Sequence, residues 1–185
     1  MKIAITGHTS GIGLAIYEHA ITQGHTVTGF SRQSGYDLCD LTSRQKMIEI
    51  LVQENYDILV NNAYPYANPS GMNGFMQTAI MNEMWFRWRG NRDKTIITIG
   101  SVSADHVKNH FHPYSVHKKS IDDTAKQLRL ANPYPQVTVV KPSWVDTKIA
   151  IGSDAPKISP QQVALIIDTI IESPVKILDI TVESR

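Results

Sequence analysis

The feature that most constrains this chain is an alternation. Six short apolar runs, Lys2–Thr6, Thr26–Phe30, Asp57–Asn61, Thr95–Gly100, Gln136–Lys141 and Ile177–Val182, are separated by longer stretches with apolar residues at helical spacing. Most of the runs are near-continuous Ile, Val and Leu, the pattern of strands covered on both faces. The stretches between them predict helices over Ile12–Gln23, Thr42–Asn55, Gly74–Arg87, Tyr114–Leu130 and Pro160–Ser173. Gly24 supplies a C-terminal stop for the first, and Met47, Ile48, Ile50 and Leu51 give the second an apolar face. Strand, helix, strand in repetition implies parallel strands joined by helical crossovers. The expectation is one α/β domain over 1–185, a Rossmann-type doubly wound parallel sheet flanked by helices.

Composition narrows the function classes. The chain has 185 residues, 42% hydrophobic and 19% charged, which is ordinary for a globular domain with a sizeable core. A net charge of +1 gives nucleic acid nothing to hold. No apolar run is long enough to span a bilayer. Met1 and Lys2 lead straight into the first strand, and the one cysteine, Cys39, fits a reducing compartment. A cytoplasmic protein with a small-molecule partner, no nucleic acid and no membrane is the expectation.

The first strand runs into Thr6-Gly7-His8-Thr9-Ser10-Gly11-Ile12-Gly13 and then a helix. Glycines at such a turn let the backbone approach a pyrophosphate, and the helix start offers free N–H groups and a positive dipole end. Further along come Asn61-Asn62-Ala63, then Thr98-Ile99-Gly100-Ser101, then Tyr114 and Lys118, then Lys141-Pro142-Ser143-Trp144-Val145-Asp146-Thr147. Tyr114 and Lys118 lie one helical turn apart, on one face. Each motif alone is weak, but together and in this order they resemble the short-chain dehydrogenase/reductase family over nearly the whole chain. Ser101 precedes Tyr114 by 13 residues, the family's customary interval.

The resemblance implies an oxidoreductase that interconverts a ketone or aldehyde and an alcohol. Tyr114 would be the acid/base, Lys118 would lower its pKa and hold the nicotinamide ribose, and Ser101 would orient the substrate oxygen. Asn73 is the candidate for the family's relay asparagine, with a turn or cap role as the alternative and Asn82 behind it. Ser103 is the rival to Ser101, and Lys119 points to another helix face. The cofactor-binding set is Gly7, Ser10, Gly11, Ile12, Gly13, Ser31, Arg32, Asp40, Leu41, Asn62, Ala63, Tyr114, Lys118, Pro142, Val145 and Thr147. Arg32 and Ser31, where an acidic residue would read an unphosphorylated ribose, favour NADP(H) over NAD(H). Asp40 would accept from the adenine amine. An NADP(H)-binding sensor or interaction module without turnover is the alternative.

Other features stay open in the sequence. His106, His110, His112 and His117 crowd the segment before and after Tyr114; no cysteine or carboxylate set at ligand spacing joins them, so no metal is assigned, and one could touch substrate. Trp85 and Trp88, with the stripe Met76, Ile80, Met84 and Trp88, suit either the core or a homodimer or homotetramer interface. Trp144 lies where substrate or nicotinamide would be. The chain also departs from the family pattern. Arg32–Asp40 leaves room for at most a stub of strand near Tyr36–Leu38. Tyr64 and Ser143 stand where glycines are usual, and the substrate segment is only Lys148–Ser159.

Overall fold

The computed structural model describes residues 1–66, 71–106 and 113–185. The chain winds as β1 (Lys2–Thr6), α1 (Gly11–Thr22), β2 (Thr26–Phe30), α2 (Leu41–Gln53), β3 (Ile58–Asn61), α3 (Met76–Trp88), β4 (Thr95–Ile99), α4 (Pro113–Ala131), β5 (Gln136–Pro142), α5 (Pro160–Glu172) and β6 (Asp179–Val182). The six strands form one sheet in the order β2-β1-β3-β4-β5-β6, and every pairing is parallel. The predicted strands and helices all appear, with ends moved by one or two residues.

The pleat sorts each strand's side chains onto two faces. Ile3, Ile5, Ile58, Val60, Ile97, Ile99 and Val140 pack with Ala15, Ile16 and Ala20 of α1 and Ala164, Ile167 and Ile170 of α5. Ala4, Leu59, Ile96, Val137 and Val139 face the other way, onto α2, α3 and α4. Both faces are therefore dry, which is why the strands read as unbroken apolar runs.

From β1 the chain moves outward to β2, then returns to β3 on the other side of β1. That reversal opens a crevice at the carboxyl ends of β1 and β3, where open α/β sheets bind ligands.

Between β2 and α2 no strand forms at Tyr36–Leu38. A short 3-10 turn, Arg32–Ser34, takes its place, capped reciprocally by Ser31 and Ser34. The Ser34 hydroxyl also donates to the Gly29 carbonyl at 3.0 Å, occupying an edge acceptor that a further strand would have used. Tyr36 then folds back edge-on against Phe30, with ring centroids 4.9 Å apart.

The stripe on α3 resolves in favour of the core. Met76, Ile80, Met84, Trp85 and Trp88 are all buried within the single chain, against β3, β4 and α4. Truncating Met84 to alanine should therefore lower unfolding free energy by about 2–5 kcal/mol. The loss should be independent of protein concentration in denaturant titrations. A dimer contact would give a concentration-dependent loss instead.

Candidate active site

The glycine turn is laced to the end of β3. The Thr6 hydroxyl accepts from the backbone N–H groups of Asn62 and Ala63 at 2.8 and 3.0 Å. The Asn62 amide returns bonds to the carbonyls of Thr6 and Gly7 at 3.0 and 3.3 Å. Gly7 turns with φ +70°, and Gly13 lies so close beneath it that a Cβ there would stand 2.1 Å from the Gly7 carbonyl oxygen. That contact demands glycine. Thr147, on the segment after β5, reaches over the same turn, its methyl 3.2 Å from where a Gly11 Cβ would be.

Helix α1 begins here without a local anion. Among the described residues, Ser10 makes no side-chain cap and the first turn holds no acid. By contrast, Asp40 caps α2 and Ser159 caps α5. The first N–H groups of α1, at Gly11, Ile12 and Gly13, thus keep their donors and the positive dipole end for a ligand. This fits a phosphate-bearing dinucleotide.

The second half of the site lies at the ends of β3, β4 and β5. Ser101 follows β4, is buried, and accepts from the Ser103 N–H at 3.1 Å as cap of the 3-10 turn Val102–Asp105. Ser103 thus serves Ser101 through its backbone. Helix α4 packs on this turn and brings Tyr114 in its first turn, with Lys118 one turn on.

Lys118 is 2% exposed and gives two hydrogen bonds, to Gln77 Oε1 at 2.7 Å and to the Ile99 carbonyl at 2.8 Å. Its Nζ stands 5.1 Å from the Tyr64 ring centre and 5.5 Å from that of Tyr114. Burial drives its pKa down to about 7, against an opposing pull from Asp122. Lys119, on another face, makes an exposed pair with Asp123 at 3.4 Å.

Tyr64 occupies the position that the sequence marked as a lost glycine. Its ring meets Tyr114 edge-on at 5.1 Å, and its hydroxyl pairs with His117 Nδ1 at 2.8 Å. Burial, with Tyr114 adding to it, pushes its phenol up to about 12, so it stays neutral. Tyr66 stacks on Tyr114 at 5.8 Å, with 3.5 Å between the two hydroxyls. His117 fills the space over Gly74, where a Cβ would meet the ring at 1.8 Å, and it packs edge-on against Phe75.

Asn73 lies on the 3-10 turn Gly71–Phe75 before α3, but the amide that reaches Lys118 is Gln77's. Sequence reasoning passed over Gln77. A signal existed: Gln77, Met81, Met84 and Trp88 follow helical spacing, so Gln77 is the one polar member of a buried face. Asn82 sits elsewhere on α3 and is exposed.

On the adenine side, Arg32 is exposed and begins the 3-10 turn after β2, while Ser31 is engaged with Ser34. Asp40 Oδ2 accepts from the Ser43 N–H at 2.7 Å, and Leu41 beside it is exposed. Pro142 ends β5, Val145 is buried and bridges to Ile158, and Trp144 is exposed. Beyond Ser101, Lys141 bonds Asp105 at 2.8 Å and lies 3.7 Å from the buried Asp122. His106 ends the 3-10 turn, His110 and His112 lie outside the described residues, and no metal-ligating cluster occurs among the described ones.

Comparison with solved structures decides the architecture. The chain superposes on a 3-alpha-hydroxysteroid dehydrogenase from Pseudomonas sp. B-0831, complexed with NADH, at a TM-score of 0.78 and 20% identity over 99% of this chain and 95% of that one. The chain shares the fold of this dehydrogenase. A short-chain dehydrogenase from Burkholderia cenocepacia J2315, in complex with NADP, gives a TM-score of 0.80 at 18% identity, covering 97% of this chain and 86% of that one. The Escherichia coli serine dehydrogenase gives 0.72 at 23%, covering 98% and 97%. Residues 3–84 match the model of the NAD dependent epimerase/dehydratase family. A search of curated proteins finds no match.

The depressed pKa of Lys118 has a defined consequence for stability. Between pH 7 and its unfolded value of 10.5, the unfolded chain holds a proton on Lys118 that the folded chain lacks. Stability contributed by this group therefore rises with pH across that window, by at most about 1.4 kcal/mol per pH unit. The difference in unfolding free energy between wild type and Lys118→Met should grow in favour of wild type from pH 7 to 10. A flat difference would show that Lys118 is not desolvated.

Proposed function

We propose that the protein is an oxidoreductase that interconverts a ketone or aldehyde and an alcohol, using NADP(H) in preference to NAD(H). The observation that carries this reading is Lys118, a buried amine set 5.5 Å from the Tyr114 ring and bonded to the carbonyl of Ile99, two residues before Ser101. A phenol near an ammonium ionises more readily than in water. Tyr114 would give a proton to a carbonyl oxygen or take one from an alcohol. Ser101 would hold that oxygen and stabilise the charge that develops on it. The cofactor, when bound, supplies or accepts the hydride.

The glycine turn and the uncapped start of α1 would hold the pyrophosphate, with Thr147 closing over it. Asn62 and Ala63 support the turn, and Pro142 and Val145 shape the far wall. Arg32, exposed after β2, would grip a ribose phosphate, and Asp40 and Leu41 would border the adenine. The single cysteine, Cys39, supports a cytoplasmic setting. With the apolar α3 stripe inside the core, assembly as a homodimer or homotetramer would use the faces carrying Phe86 and Val116, both exposed.

One observation favours a sensor without turnover. Tyr64 and Tyr66 crowd Tyr114, and the Tyr66 hydroxyl, 3.5 Å from that of Tyr114, stands about where a substrate oxygen would.

Two measurements test the reading. Saturating NADPH should raise the melting temperature by several degrees, and NADH should raise it less, with Arg32→Ala erasing the difference. Tyr114→Phe should reduce carbonyl-dependent NADPH oxidation by at least about 100-fold while leaving the NADPH-induced thermal shift in place. A shift without any turnover across a panel of carbonyl compounds would favour the sensor.

A further inference from the structure

Gln77 lies in the first turn of α3, with its amide buried between the ends of β3 and β4. Its NH2 group donates to the main-chain oxygens of Asn61 at 2.9 Å, Ile99 at 3.2 Å and Asn62 at 3.3 Å. Turned the other way, the amide would set its oxygen against three carbonyl oxygens, so its orientation is fixed. The oxygen is left facing Lys118 Nζ at 2.7 Å. The Gln77 main chain is tied down as well, its carbonyl accepting from Asn61 Nδ2 at 2.7 Å.

We propose that Gln77 is a positioning residue for Lys118: its amide, anchored as a donor at one end by three main-chain carbonyls, holds the lysine amine at the other and so sets where that amine stands beside Tyr114 and what charge it carries. The consequence for the reaction rests on the reading that Lys118 and Tyr114 act together. Both acceptors of the Lys118 amine, Gln77 Oε1 and the Ile99 carbonyl, are neutral. Neutral acceptors orient an ammonium but support its charge less than a carboxylate would. The amine therefore stays able to change charge near neutral pH instead of being locked as a cation. The titratable groups around it are Tyr64 after β3, and Tyr114, His117 and Asp122 on α4, with Lys141 on β5 and Asp105 beyond. The one glutamine amide thus joins the ends of β3 and β4 to helix α4.

The test pairs two substitutions that a purely structural role would not separate. Gln77→Met removes the acceptor at nearly constant size. Met81→Ala loosens the same buried face of α3 and leaves the Gln77 amide intact. The Lys118 midpoint is read by NMR titration of 13C-lysine-labelled protein, with its signal assigned by its loss in Lys118→Met. We expect Gln77→Met to lower the midpoint by about one pH unit and Met81→Ala to leave it in place. The pH profile of carbonyl-dependent NADPH oxidation should move in Gln77→Met alone. Midpoints that shift together, or do not shift, overturn the proposal. An NMR shift confined to Gln77→Met with no matching change in turnover keeps Gln77 as the holder of Lys118 and overturns the proposed reaction instead. Should Gln77→Met not fold, Gln77→Asn, whose shorter amide cannot span both the carbonyls and the amine, takes its place, and an unmoved midpoint overturns the proposal.

Discussion

Taking the Lys118 amine out of water sets the terms for everything around it. A buried cation needs acceptors, or it gives up its charge. This chain meets that demand with one main-chain carbonyl, one glutamine oxygen and two tyrosine rings. None of these is charged. The amine is held in place firmly and held in its ionised form weakly. A group in that condition responds to small changes in its surroundings.

The sheet makes this arrangement possible. Strands β1, β3 and β4 end side by side, and each end delivers a different part. Thr6 and Gly7 at the end of β1 form the turn. Asn61 and Asn62 at the end of β3 support both that turn and Gln77. Ile99 at the end of β4 serves Gln77 and Lys118 together, and Ser101 follows it. The glycine turn and the cluster around Lys118 therefore share the same strand ends. A shift in β3 would be felt in both, and this explains why the Thr6 hydroxyl binds two N–H groups of the segment after β3.

Much of this was legible in the sequence, for a physical reason. Strands dry on both faces leave unbroken apolar runs, and close contacts such as Gly13 on Gly7 admit one residue type only. The spacing of Tyr114 and Lys118 has the same directness, because one helical turn fixes which side chains are neighbours. Gln77 was not legible in that way. Its place on the apolar face of α3 marks it as buried, but its partners are carbonyls on strands 16 and 22 residues away. The fate of Arg32–Asp40 was half legible. Its length ruled out a full crossover, but the Ser31–Ser34 cap that replaces the strand depends on side-chain geometry.

Tyr64 shows why departures from a family pattern should be read in space. In the sequence it is a missing glycine, and Gly74 is only the start of a predicted helix. In the fold they belong to one arrangement. Gly74 has no Cβ, so the His117 ring can lie against it. From there His117 Nδ1 holds the Tyr64 hydroxyl, and the Tyr64 ring is turned to face both Tyr114 and the Lys118 amine. Burial keeps His117 neutral and Tyr64 un-ionised, so the pair adds shape and an aromatic face without adding charge. Gly74, His117, Tyr64 and Tyr114 thus form one connected set of contacts reaching the Lys118 amine.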